Sequence, residues 1–288
     1  MKVNERCVKC LMDRQRHVAT QIPDENQRNK YLEGVGDILS KRKENDSAPY
    51  MVYCFDRLLE KFHGKNESFT QVKKEYNDLV LSMEEDLYKE IISTSDSLKK
   101  ALIYSRIGNY IDFGAVSSVD TKEFLALFDR KEELDEHVYN EFIDKCNKGK
   151  TFVLLCDNCG EIVVDKILVK ILKEKFPHLD IYVMVRGADV INDATIEDAQ
   201  YCGLDKVAKV VSNGIGVAGT ILDMISIEAR ELLESADVIL AKGQGNFETL
   251  SNNGLEVFFS FLCKCENFVE QFKVDLYTGM FIHKKPYL

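Results

Sequence analysis

The chain has no excess of positive charge: its 38 Lys and Arg are outnumbered by 48 Asp and Glu, a formal net charge of -10 over 288 residues. The basic residues are interspersed with acidic ones, so there is no basic footprint and a nucleic-acid partner is not expected. No stretch reaches the roughly 18 to 20 consecutive apolar residues that a membrane span needs. The polar start MKVNERCVKCLMDRQ lacks the hydrophobic region of a secretory signal. Together these absences predict a soluble cytoplasmic protein with no membrane partner. A complete G-x-G-x-x-G after the first strand-like run is missing, as is any G-x-x-x-x-G-K-[ST] loop, which counts against dinucleotide or ATP chemistry. The five histidines, His17, His63, His137, His178 and His283, form no pair with metal-ligand spacing and read as surface residues.

What is present is an ordinary globular composition with 45% apolar residues, enough for a sizeable core in one large or two unequal domains. Nine cysteines, an odd number without a secretory signal, read as reduced thiols rather than a disulfide framework. From Glu5 to about Lys148 the apolar residues recur at helical spacing, as in YMVYCFDRLLEKF. Breaks such as QIPDEN, NDSAP, HGKNES and STSDS offer Asp24, Ser47, Ser68 and Ser95 as N-caps. A helical domain over 1–148 is therefore expected. After residue 148 the short runs TFVLLC, IYVMVR, KVVS and DVILAK alternate with helix-forming segments, which predicts an α/β domain over 149–288 built on a mostly parallel sheet. The tail VDLYTGMFIHKKPYL offers one further strand.

Ligands of open α/β folds bind along the edge formed by the C-terminal ends of the strands. Four runs end in polar, mostly glycine-bearing segments: DNCGE, RGADVINDAT, SNGIG and KGQGNFE. Hard divalent cations prefer carboxylate and amide oxygens, so Asp157, Asn158 and Asp193 are the candidate metal ligands. Glycine allows close backbone approach to an anion, and Lys242 with Gly243 and Gly245 could hold a phosphate. Arg186, Glu161, Ser212 and Asn213 could contact substrate, or could simply cap their elements. In SRIGNYIDFGA, Asn109 and Asp112 stand at i and i+3 and share a helix face that could close over the site. Two Cys-x-x-Cys pairs, Cys7 with Cys10 and Cys156 with Cys159, could form a four-thiolate zinc site, or be small packing residues.

DNCGEIVVDK, VRGADVINDATIEDA and ADVILAKGQGNFETL, in that order and spacing, resemble the signature of the metal-dependent damage-control phosphatases, once called domain of unknown function 89. The N-terminal Cys7 and Cys10 are similar to those of that family's stand-alone branch, and IGNYIDFGA resembles a Gly-Asn-x-x-Asp segment in its helical part. The resemblance implies a three-layer, Rossmann-like α/β sandwich preceded by helices. It also implies a divalent metal, magnesium, manganese, nickel or cobalt, at Asp157, Asn158 and Asp193. The implied reaction is hydrolysis of phosphate monoesters of small metabolites, sugar phosphates or damaged phosphopantetheine derivatives. On this reading Asp157, Asp193 and Lys242 carry the catalysis. A non-hydrolytic phosphometabolite-binding protein, a nucleotide-dependent transferase and a zinc-organised interaction module are the alternatives.

Overall fold

The computed structural model describes residues 2–64, 69–110, 126–128 and 132–285. Its Cα positions divide the chain into two compact units, Met1–Ser68 and Phe69–Leu288. The change in apolar spacing at 148 therefore does not coincide with the break in compactness. The helices after residue 69 fall in the same compact unit as the strands that follow them.

The first unit consists of three helices, α1 (Glu5–Ala19), α2 (Glu25–Ser40) and α3 (Ala48–His63). Each begins with a side chain that satisfies a free backbone N–H: Asn4 accepts from Cys7, Asp24 from Gln27 and Ser47 from Tyr50. Their apolar stripes meet in a core around Leu11, Tyr31, Val35, Met51 and Phe55.

In the second unit, α4 (Thr70–Leu81), α5 (Glu84–Ile92), α6 (Ser97–Gly108) and α7 (Glu136–Lys148) precede β1 (Thr151–Leu155). Then follow α8 (Glu161–Lys175), β2 (Asp180–Val185), α9 (Ile196–Tyr201), β3 (Lys209–Ser212), α10 (Ile227–Ser235), β4 (Val238–Lys242) and α11 (Gln244–Leu250). The chain closes with β5 (Val257–Leu262), α12 (Glu266–Phe272) and β6 (Gly279–Lys284). Asp96, rather than Ser95, caps α6, and Ser68 lies outside the described residues.

The six strands run in the order β3-β2-β1-β4-β5-β6, parallel except for β6 against β5. The fold is thus α/β with a mostly parallel sheet after a mostly helical N-terminal region. β1 and β4 are adjacent although two strands and three helices separate them in sequence, so the strand order reverses there. In such sheets a crevice opens at that point. The four expected strands and the tail strand are present, and β5, in VFFSFL, is an addition. Among the described residues no helix is long and apolar enough to cross a membrane.

His283 departs from its surface reading. Its imidazole is 3% exposed, stacks on Phe258 and lies between Glu141 and Glu256 at 2.7 and 3.0 Å. Strand alternation turns it inward, which the search for paired histidines could not register.

Candidate active site at the sheet edge

β1 leaves the sheet at Cys156, and the next residues are pegged by main-chain bonds to the segment after β2. Ala194 N donates to Asp157 O at 2.7 Å, Cys159 N to Asn192 O at 2.8 Å and Arg186 N to Ala194 O at 2.9 Å. Isolated bridges pair Asn158 with Asp193 and Arg186 with Thr195. Two strand ends far apart in sequence thus place Asp157, Asn158 and Asp193 together. Ile191, just before this contact, has φ 46, a left-handed conformation unusual for a β-branched residue.

The two acids are joined through Arg186. Its Nε donates to Asp193 Oδ2 at 2.7 Å and its Nη2 to Asp157 Oδ1 at 3.2 Å, with all three side chains buried. Asn158 Nδ2 and Asn109 Nδ2 both donate to Asp157 Oδ2, at 3.0 and 2.9 Å. Asn109 arrives there because Gly108 lets the end of α6 approach the start of α8: a Cβ on Gly108 would stand 3.1 Å from Glu161 Cα. It caps α6 rather than lying within it, and Asp112 falls outside the described residues.

From Asn109 the network runs inward. The same Nδ2 donates to Glu161 Oε2 at 3.0 Å; Glu161 Oε1 then accepts from Lys242 Nζ at 2.5 Å. Lys242 also donates to Asp165 Oδ1 at 2.8 Å and to Ser105 O at 3.0 Å, and is wholly buried. The sequence placed Lys242 on the edge as a phosphate contact; the structure turns its ammonium under the sheet onto α6 and α8. Burial disfavours that charge, but Asp165 and Glu161 outweigh it and push Lys242 up from its ordinary value. Asp165, the second carboxylate on one cation, is raised by burial to about 6.

The glycines of KGQGN have packing reasons. Gly243, at φ 79, lies so close to Asp157 that a Cβ would stand 2.0 Å from Oδ2. A Cβ on Gly245 would stand 2.1 Å from Ala218 O. Asn213 Oδ1 accepts from Gly187 N and Ile215 N, pinning the loop after β3, while Ser212 Oγ accepts from Gly214 N. These two residues shape the rim and do not join the acid cluster through a hydrogen bond of their own side chains.

Sequence reasoning missed Asn246, Thr220, Asp165 and Ser105. Asn246 Oδ1 accepts from Arg186 Nη1 at 3.2 Å and from Thr220 Oγ1 at 2.8 Å. Asn246 was legible as an amide within KGQGN, whereas Thr220, Asp165 and Ser105 are linked to the site only by folding. A G-x-G-x-x-G spacing does occur at residues 214–219, after β3, but turns follow it rather than a helix, and its glycines pack on Ser226, Ala188 and Thr249. It has no helix N-terminus on which a pyrophosphate could sit.

Cys156 and Cys159 are buried, and loss of solvent holds both thiols well above their ordinary range. Cys7 and Cys10 lie on α1 of the first unit. Among the described residues no group of three or more His, Cys, Asp or Glu side chains is arranged to hold a metal. The site described above offers two carboxylates and an amide instead. That set suits a hard cation, which takes oxygen donors and completes its shell with water. Within the hydrogen-bonded chain from Asp193 to Asp165, four carboxylates share two cations, Arg186 and Lys242. The donor chemistry and the charge both fit a divalent cation.

The sheet order and this strand-end cluster define an α/β protein whose candidate active site lies beside the β1–β4 reversal. The chain belongs to the damage-control phosphatase ARMT1-like domain family, whose model matches residues 3–279. It is 34% identical over 275 residues to a damage-control phosphatase of Archaeoglobus fulgidus, covering 92% of this chain and 93% of that one. A damage-control phosphatase of Pyrococcus horikoshii is 30% identical over 277 residues, covering 95% of each. The crystal structure of a DUF89 family protein from Pyrococcus horikoshii matches with a TM-score of 0.82 and 27% identity, over 99% of this chain and all of that one.

Proposed function

We propose that the chain is a metal-dependent phosphomonoester hydrolase acting on small phosphorylated metabolites, in the class of sugar phosphates and damaged phosphopantetheine derivatives. The observation that carries this reading is the buried strand-end cluster: four linked carboxylates that share two cations, with Asp157, Asn158 and Asp193 brought together at the sheet edge. Burying several carboxylates side by side is costly, and a divalent cation offsets that cost. The names of its relatives support the phosphatase chemistry.

Asp157, Asn158 and Asp193 would hold magnesium, manganese, nickel or cobalt. When bound, such a cation supplies Lewis-acid polarisation of the phosphoryl group and makes a nucleophile accessible at neutral pH. The chain's own residues do the positioning. Arg186 orients both acids, Asn109 joins Asp157 to Glu161, and Lys242 neutralises Glu161 and Asp165 from beneath. The proposed role of Lys242 is thus to hold the cluster's charge in place rather than to touch phosphate from the rim.

Phosphate release from p-nitrophenyl phosphate and from a panel of phosphorylated metabolites, with EDTA or with each metal, tests the proposal. Metal-stimulated release that Asp193→Asn removes is the expected result. Binding without turnover across the panel would favour a non-hydrolytic phosphometabolite-binding protein instead.

A further inference from the structure

Arg186 occupies an unusual place for a cation, directly behind two candidate ligands of another cation. Its guanidinium is 1% exposed, and its three nitrogens reach three different strand ends: Nε to Asp193 after β2, Nη2 to Asp157 after β1 and Nη1 to Asn246 after β4. Its backbone is held as well, through Ala194 O and the bridge to Thr195.

We infer that Arg186 is a positioning residue for the cation site, a role that rests on the metal-dependent reading above. The planar fork takes Oδ2 of Asp193 and Oδ1 of Asp157 and thereby fixes the rotamer of each acid. Asn246 fixes the fork itself, and Thr220 Oγ1 fixes Asn246 in turn. A lysine would place the same charge there as a single point, without the planar fork that fixes both rotamers while also reaching Asn246.

Two physical effects oppose each other at this position, and they make opposite predictions. By Coulomb's law, a guanidinium beside a cation site weakens binding, so deleting it tightens binding. Partners that orient ligands act the other way, typically contributing about 10- to 100-fold in affinity. Burial decides between them. With the side chains of Asp157 and Asp193 only 9% and 4% exposed, little water is available to orient them once the fork is gone.

The test is Mn2+ titration calorimetry on the full chain as wild type, Arg186→Lys and Arg186→Met, with thermal unfolding of each metal-free protein. Both variants are expected to bind Mn2+ about 10- to 100-fold more weakly, with no rescue by Lys. Affinity that is unchanged or higher in Arg186→Met, or fully restored in Arg186→Lys, overturns the inference. Should neither variant fold, Asn246→Ala keeps both ion pairs and removes the fork's tether, together with the bonds Asn246 makes to Thr220 and to the main-chain carbonyls of Lys242 and Cys156. Weaker Mn2+ binding there supports the role, and unchanged binding overturns it. A wild type that binds neither Mn2+ nor Mg2+ overturns the functional reading itself, whereas wild-type binding with insensitive variants overturns only the role of Arg186.

Discussion

Lys242 Nζ and Asp165 Oδ1 lie 2.8 Å apart between β4 and α8, with no part of either side chain exposed. Glu161 competes for the same ammonium at 2.5 Å and Ser105 Oγ donates to Asp165 Oδ1 at 2.6 Å. Burial raises Asp165 to about 6, above the roughly 3.9 of an unfolded aspartate. The folded protein therefore holds this proton over a pH range in which the unfolded chain has lost it. The stability it contributes is complete below about pH 4 and is lost as pH rises through about 6. Asp165→Asn should flatten the stability profile by on the order of 2 kcal/mol between pH 4 and 7.5. Urea unfolding of both proteins across that range measures it, and equal slopes would contradict the assignment.

Lys242→Met removes the cation from two buried carboxylates. Breaking a buried pair in this way costs about 3–5 kcal/mol. A drop of that size in unfolding free energy is expected at pH 7.5 and a smaller drop at pH 5, where Asp165 is protonated. A variant with wild-type stability and a loss confined to substrate affinity would instead return Lys242 to the rim.

Gly243→Ala should damage the site through one methyl group. The Cβ would overlap the Asp157 carboxylate and would also require an alanine at φ 79. Mn2+ affinity and phosphatase activity are both expected to fall at least tenfold, with destabilisation on the order of 1–3 kcal/mol. Calorimetry with and without metal separates the two effects.

Asn77 ties α4 to the turn that opens α8: its Oδ1 accepts from Gly160 N at 2.6 Å and its Nδ2 donates to Asp198 Oδ1 at 3.0 Å. Asn77→Leu leaves the Gly160 N–H buried without this partner and takes one hydrogen bond from Asp198, which keeps Lys73 and Thr195, at a cost of about 1–3 kcal/mol. Urea denaturation at pH 7.5 should show this loss, and a change under about 0.5 kcal/mol would mean that water replaces the amide.

Asp157, Asn158 and Asp193 were legible from the chain alone because a buried strand must shed its polar residues where it ends, and parallel crossovers align those ends. β5 was not legible: VFFSFL is apolar without alternation, and it lacks a helix-forming segment of clear period before it. Lys242 shows a different limit. Sequence places it last in β4 but cannot say which face of the sheet it takes, and the face decides between a rim contact and a buried counter-ion. Asp165 carries no signal of its own within EIVVDKILVK, since its burial depends on α6 lying across α8. The second unit likewise begins well before the change in spacing at 148, because helices that pack on a sheet have the same period as helices that pack on each other.

The bonds that peg Asp157–Cys159 to Asn192–Ala194 belong to the main chain, so they fix how far apart the backbones of the two acids stand without drawing on the side chains there. Where those backbones stand and where the carboxylates point are thus set by separate parts of the molecule, the main chain for the first and Arg186 with its neighbours for the second.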